Sequence, residues 1–230
     1  MRFAIVTLFP DMFSALTEWG VIGRAFQQSL ATVQYFNPRD YTEDAHRTVD
    51  DRPYGGGPGM VMKAEPVALA IAAAQAVLPA APVCYLSPKG QKLSQGLVVE
   101  MSATHAEWIL LCGRYEGIDQ RVIDHYVDCE ISIGDYVVSG GEMPAMVLMD
   151  ALLRLQPEVL GSADSAAQDS FSIPGQLDCP HYTRPEVWRD LAVPDVLRSG
   201  DHRAIAEWRQ QQANQQTAER QDNLQKKLLD

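Results

Sequence analysis

The sequence predicts an α/β protein: a mostly parallel sheet with helices on both faces, followed by a small helical C-terminal domain. Three observations carry that expectation. Short apolar runs alternate with longer helix-patterned stretches, glycines and prolines punctuate the ends of those runs, and the C-terminal stretch replaces apolar runs with glutamine and charge.

The elements follow in chain order. RFAIVTLFP alternates apolar with other residues and breaks at Pro10, which predicts a buried first strand and then a helix through Met12 to about Gly20. TVQYFNP predicts the second strand. From Asn37 to Gly59 the chain is polar, charged and glycine-rich, too long for a simple connection, so it reads as a functional loop. AEPVALAIAAAQAVL is an alanine-rich helix with Pro66 in its first turn, where proline is tolerated. PVCYLSP, EWILLCG and DCEISIG supply three further strands, separated by helical segments. Strands alternating with helices imply parallel pairing, and ligands of such sheets sit beyond the carboxyl ends of the strands. Tyr85, Leu86 and Ser87 end one of these strands, Gly113 the next, and Ile133 and Gly134 the third, so three loops are expected to converge on one crevice. PAMVLMDALLRLQPEVL predicts a long apolar helix that begins with Pro144 and stops near Pro157. GSADSAAQDSFSIPG, small and polar throughout, reads as a flexible linker. The expected boundaries are a first domain over 1–160, a linker over 161–175 and a helical domain over 176–230.

With 230 residues, 46% hydrophobic and 21% charged, the chain can bury a substantial core as one large or two small domains. No apolar run approaches the length of a membrane span, and MRFAIVTLFPDMF has acid and proline where a signal peptide needs apolar residues, so a cytoplasmic protein with no membrane partner is expected. Cys84, Cys112, Cys129 and Cys179 are far apart, with no CxxC and no histidine at metal-ligand spacing. They read as small buried residues kept reduced, and no metal site is expected. The net charge of −11 argues against a broad basic surface for nucleic acid and, taken alone, points to a small-molecule enzyme.

LCGRYEGID and EISIGDYVVSGGEMP crowd Gly113, Gly117, Gly134, Gly140 and Gly141 around Tyr115, Glu116 and Tyr136. Such glycines mark turns where backbone approaches something closely. The pocket they imply has backbone donors and acceptors, flat apolar walls and one carboxylate, which suits a small aromatic cofactor carrying positive charge. The glycine run PYGGGPGM is not a phosphate loop of the Walker type, because it lacks the Lys and Ser/Thr that follow the last glycine there.

GRYEGID, SIGDYVVSGGEMPAM, RPYGGGPGMVM, DSF and PHYTRPEVW together resemble the bacterial tRNA (guanine-N1-)-methyltransferase family, of the SPOUT class, from FPDMF near Phe9 to about Trp208. The resemblance implies a deep trefoil knot, S-adenosylmethionine as cofactor, a magnesium ion as a further assistant with no site evident in the sequence, and tRNA as substrate, methylated at N1 of guanosine 37. It also implies a homodimer whose active sites are shared between subunits. By the same resemblance Tyr85, Leu86, Ser87, Pro88, Gly113, Tyr115 and Glu116 bind the cofactor, with Ile133, Gly134, Tyr136, Val138, Gly140, Gly141 and Pro144. Gly140 and Gly141 are expected to let backbone approach the ligand, and Glu116 to offset its positive charge. Gly57, Gly59 and Asp50 match a loop near the target guanine, and His181, Tyr182 and Arg184 suit stacking and phosphate contact with an anticodon loop.

Arg154 and Asp169 match the family's functional arginine and general base. Guanine N1 is poorly nucleophilic while it holds its proton, so a carboxylate must accept that proton as the methyl transfers, while a guanidinium at O6 stabilises the charge that develops. The sequence departs from the family pattern at Ile173–Leu177 and in the glutamine-rich stretch beyond Trp208, both in the half expected to hold tRNA. Two other classes compete: a nucleotide-binding protein using the same crevice, and a cofactor-binding RNA module without activity. Titration with S-adenosylmethionine separates the first and a single-turnover assay the second.

Overall fold

The structure is a computed structural model that describes residues 1–161 and 169–227, and the chain divides into two compact units, Met1–Gly161 and Ser162–Asp230. In the first unit the apolar runs become strands β1 (Arg2–Val6), β2 (Thr32–Phe36), β5 (Val83–Lys92), β6 (Glu107–Cys112) and β7 (Cys129–Ser132). They form one sheet in the order β2-β1-β6-β5-β7, every pairing parallel. Short strands β3 (Asp50–Asp51) and β4 (Val61–Met62) pair antiparallel as a separate ribbon within the polar segment. The helices are α1 (Ser14–Thr17), α2 (Gly20–Gln27), α3 (Ala64–Val77), α4 (Gln95–Thr104), α5 (Gln120–Tyr126) and α6 (Glu142–Leu153).

Alternation along each strand builds two cores. Phe3, Ile5, Cys84, Leu86, Leu110 and Cys112 face one side, covered by Ile22 and Ala25 of α2, Val98 and Met101 of α4, and Leu148, Met149, Leu152 and Leu153 of α6. Ala4, Val6, Val83, Tyr85, Ile109 and Leu111 face the other, covered by Val67, Ala70, Ile71 and Ala74 of α3 and by Val122 of α5. Because both faces are buried, the strands read as continuous apolar runs, and each large side chain removed from water contributes about 1.5–3 kcal/mol.

Two elements differ from expectation. The helix predicted from Met12 to Gly20 is a 3-10 turn (Pro10–Phe13) followed by α1, and Gly20 opens the next helix, α2, instead of closing the first. The long helix begins at Glu142, two residues before Pro144, and ends at Leu153, so Arg154 is its C-cap residue. Proline is accommodated in the first turn because its missing N–H would have no intrahelical partner there.

One irregularity shapes the crevice. β5 meets β7 in two registers, Cys84 to Leu86 against Cys129 to Ile131 and then Gln91 and Lys92 against Ile131 and Ser132, so residues 87–90 bulge out of the ladder. A bulge is one of the few sheet positions that admits proline, here Pro88.

The second unit contains an antiparallel hairpin of β8 (Val187–Trp188) and β9 (Leu191–Ala192), a 3-10 turn (Asp195–Arg198) and the 26-residue helix α7 (His202–Lys227). The hairpin is an addition to the purely helical domain expected. Of the anticipated linker, residues 162–168 lie outside the described residues. Residues 169–176 form hydrogen-bonded turns, with Ser172 N donating to Asp169 O at 3.1 Å and Phe171 N to Gln176 O at 2.7 Å. No described helix is long and apolar enough to cross a membrane.

Candidate active site

The bulge of β5 and the carboxyl ends of β6 and β7 converge on a crevice of about 210 Å³; the strand expected to end at Ser87 continues past the bulge to Lys92. Tyr85, Leu86, Ser87 and Pro88 form one wall, and Gly113, Tyr115 and Glu116 after β6 form the next. Ile133, Gly134, Tyr136 and Val138 follow β7, and Gly140, Gly141 and Pro144 lead into α6. The structure thus brings together every residue expected to hold the cofactor. It adds Gly117, already one of the pocket glycines of the sequence, and Arg114, Ile131, Ser132, Val137 and Ser139, which were not singled out although Arg114 stands inside the GRYEGID motif. Exposed backbone, apolar walls and the single Glu116 carboxylate make a lining into which an adenosyl group with a cationic tail fits chemically.

Beneath this lining lies a buried charge. The Glu142 side chain is 0% exposed and accepts from Thr7 Oγ1 and from Arg114 Nε, both at 2.8 Å. Arg114 also donates through Nη1 to the Ser139 carbonyl at 3.1 Å, and its guanidinium lies 4.5 Å from the centroid of the Phe9 ring. A carboxylate survives burial only when paired and hydrogen-bonded in this way. The network ties the end of β1, the loop after β6 and the start of α6 into one support.

The glycine pair is explained by this support. A Cβ on Gly140 would stand 2.5 Å from Arg114 Cδ, and one on Gly141 would stand 2.7 Å from Cys112 Cα. Arg114 and the β6 backbone therefore require both glycines, whatever ligand the crevice also brings close to them. Gly141→Val is expected to destabilise the fold as well as the crevice, seen as a lower unfolding midpoint in denaturant. A stable Gly141→Val protein with weakened ligand binding would show that the glycine serves the ligand alone.

Burial pushes the Tyr85 hydroxyl up to about 12, with Glu130 and Cys112 adding to the effect, so it stays a neutral hydrogen-bonding group on the crevice wall at physiological pH. Tyr115 adopts the left-handed conformation at φ 60°. Partial burial and then the neighbouring Asp50 carboxylate raise its hydroxyl, against the opposing Arg39. Asp50 is thereby placed beside the crevice. Gly59 also reaches it, since a Cβ there would meet Glu116 Cγ at 2.5 Å, and Glu116 N donates to Met60 O at 2.9 Å. Gly57 has open space around its Cα.

The remaining candidates are not among the residues that line the crevice. Arg154 is exposed at the C-terminus of α6 and does not line the crevice. Asp169 belongs to the second unit and borders a shallow depression with Ser172, Asp178 and Arg209. His181, Tyr182 and Arg184 are exposed there too, with His181 Nε2 2.8 Å from Asp178 Oδ2 and the Tyr182 ring 6.2 Å from that of Trp208. Asp178, Cys179 and His181 hold their ligand atoms within 4.8 Å of one another, a grouping that cysteine spacing did not reveal; Asp178 is already engaged by His181 and by Cys179 N.

A parallel α/β sheet whose strand ends enclose a crevice with much exposed backbone and one carboxylate defines a cofactor-using α/β protein. The chain belongs to the family described as tRNA (guanine-1)-methyltransferase TrmD, whose model matches residues 1–227. It is 59% identical to a tRNA (guanine-N(1)-)-methyltransferase of Idiomarina loihiensis, over 93% of this chain and 84% of that one. It is 58% identical to one of Pseudomonas entomophila, over 97% and 89%, and 55% identical to one of Polynucleobacter asymbioticus, over 93% and 87%. Membership makes the protein a methyltransferase and implies S-adenosylmethionine as its methyl donor.

Proposed function

We propose that this protein transfers a methyl group from S-adenosylmethionine to N1 of guanosine 37 in tRNA. The observation that carries the reading is the family match over residues 1–227, and the composition of the crevice supports the choice of cofactor. In this reading the first unit is a SPOUT catalytic domain with a deep trefoil knot and the second holds tRNA. The enzyme acts as a cytoplasmic homodimer, each active site combining the crevice of one subunit with Asp169 of the other. A magnesium ion belongs to the proposal as an assistant, with no residue assigned to it.

When bound, the cofactor supplies an electrophilic methyl on a sulfonium. Glu116 would offset that positive charge, and the glycine-rich loops after β6 and β7 would offer main-chain groups to the adenine. Asp169 would accept the N1 proton as guanine N1 takes up the methyl group. Arg154 stabilises negative charge developing at O6.

The test pairs labelled S-adenosylmethionine with tRNA transcripts bearing guanosine or adenosine at position 37. Label is expected on the guanosine transcript alone; equal labelling of both would sink the assignment. An acidic chain of net charge −11 is expected to hold tRNA through few phosphates, so its affinity should fall with salt less steeply than that of a basic RNA-binding domain. Arg184→Ala is expected to weaken tRNA binding and flatten that slope further, and an unchanged tRNA affinity would remove Arg184 from the interface.

A further inference from the structure

We propose that Cys84 and Cys129 form a dithiol that hydroperoxides convert to a cross-strand disulfide, and that this modification distorts the crevice wall. The two residues are direct register partners on adjacent strands β5 and β7, and both side chains belong to the same core face of the sheet. β7 is an edge strand, and Cys129 is only half-buried, whereas Cys84 beneath it is fully buried. An oxidant therefore reaches Cys129 first and finds a second thiol directly behind it. The neighbouring Cys84 thiol pulls the Cys129 thiol below its ordinary value, against partial burial and Asp128. A sulfur so placed has the thiolate character that governs peroxide reactivity.

The chemistry balances without another co-reactant. The Cys129 sulfur attacks one peroxide oxygen, the O–O bond breaks, and Cys129 becomes a sulfenic acid as water or an alcohol departs. The Cys84 sulfur then attacks that sulfur, the S–O bond breaks, the S–S bond forms, and water carries away the remaining oxygen with the Cys84 proton. Two thiols are oxidised and one peroxide is reduced. Cys112 is a poor competitor, because the register partner of Cys84 on β6 is Leu110 and Cys112 lies opposite Leu86.

Strain gives the modification its consequence. Neighbouring strands stand about 4.8 Å apart, at the short end of the Cα separations a disulfide spans, which centre on about 5.5–6 Å. Oxidation must therefore spread β5 from β7, and a strained bond of this kind is readily reduced again. The residues that follow Cys84 are Tyr85 and Leu86, then the bulge carrying Ser87 and Pro88, all on the crevice wall. The bulge is where the ladder has slack, so the displacement is taken up there.

The experiment treats the full-length protein with hydrogen peroxide and reads intact mass, peptide connectivity and S-adenosylmethionine affinity, before and after dithiothreitol. Expected are a mass lower by two hydrogens, a Cys84 to Cys129 peptide link and an affinity weakened about tenfold, all reversed by reductant. Cys129→Ser is expected to bind S-adenosylmethionine as the reduced protein does and to be indifferent to peroxide; Cys84→Val provides the same comparison from the buried side. Over-oxidation of Cys129 with Cys84 still alkylatable, a link to Cys112, or a disulfide that leaves affinity unchanged would each overturn the proposal. The effect on affinity rests on reading the crevice as the cofactor site. A reduced protein that fails to bind S-adenosylmethionine defeats that reading and with it the predicted effect on affinity, while the mass and connectivity data still decide disulfide formation.

Discussion

Asp169→Asn is expected to lower single-turnover methyl transfer by about 10²–10⁴-fold, the usual range for loss of a general base, while S-adenosylmethionine binding stays unchanged. The asparagine keeps the shape of the side chain and removes its ability to accept the N1 proton. Asp169 belongs to the second unit and is not among the residues that line the crevice, so the two effects are expected to separate. Arg154→Ala should also slow the chemical step, through lost stabilisation at O6. A mixed dimer of one subunit with a ruined crevice and one lacking Asp169 should recover a single working site if the halves of each site come from different chains. Methylation by Asp169→Asn at the unmutated rate would show that the carboxylate is not the base.

The largest expected effect on stability comes from Glu142→Ala, about 3–5 kcal/mol by denaturant unfolding, because truncation leaves the half-buried Arg114 guanidinium without its charge partner. Thr7 Oγ1 also loses its acceptor. The Ser139 carbonyl and the turn through Gly140 and Gly141 depend on the same arginine, so the crevice should lose its ligand affinity together with the fold. Replacing both partners by apolar residues, Arg114→Met with Glu142→Leu, should recover much of the stability, since no buried charge then remains uncompensated. A Glu142→Ala protein within about 1 kcal/mol of the parent would mean that water has taken the place of the lost carboxylate.

Much of the fold was legible before any coordinates. Both faces of the central sheet are buried, so Phe3–Val6, Val83–Leu86 and Trp108–Cys112 had to be apolar, and the glycines and prolines near them marked turns. The cofactor loops were largely legible, because a parallel sheet gathers the carboxyl ends of its strands at one edge and Gly113 and Ile133 follow two of those ends; Tyr85, expected to end its strand, instead precedes a bulge inside β5, which runs on to Lys92.

What the chain alone determined, then, is local: strands by apolar pattern, turns by backbone freedom, and the chemistry of the residues gathered at the strand ends. Contacts between residues far apart in sequence were decided by tertiary structure, because no local pattern records a strand's neighbours. The order β2-β1-β6-β5-β7 sets Cys84 beside Cys129, and the bulge at residues 87–90 swings Pro88 into the crevice. Glu142 reads locally as the acidic first residue of a helix, suited to the helix dipole and to water. Packing instead buries it against Thr7 and Arg114, partners 135 and 28 residues away in the chain. Gly140 and Gly141 are glycines for the sake of that arginine and the backbone of Cys112, neighbours that only the folded chain supplies.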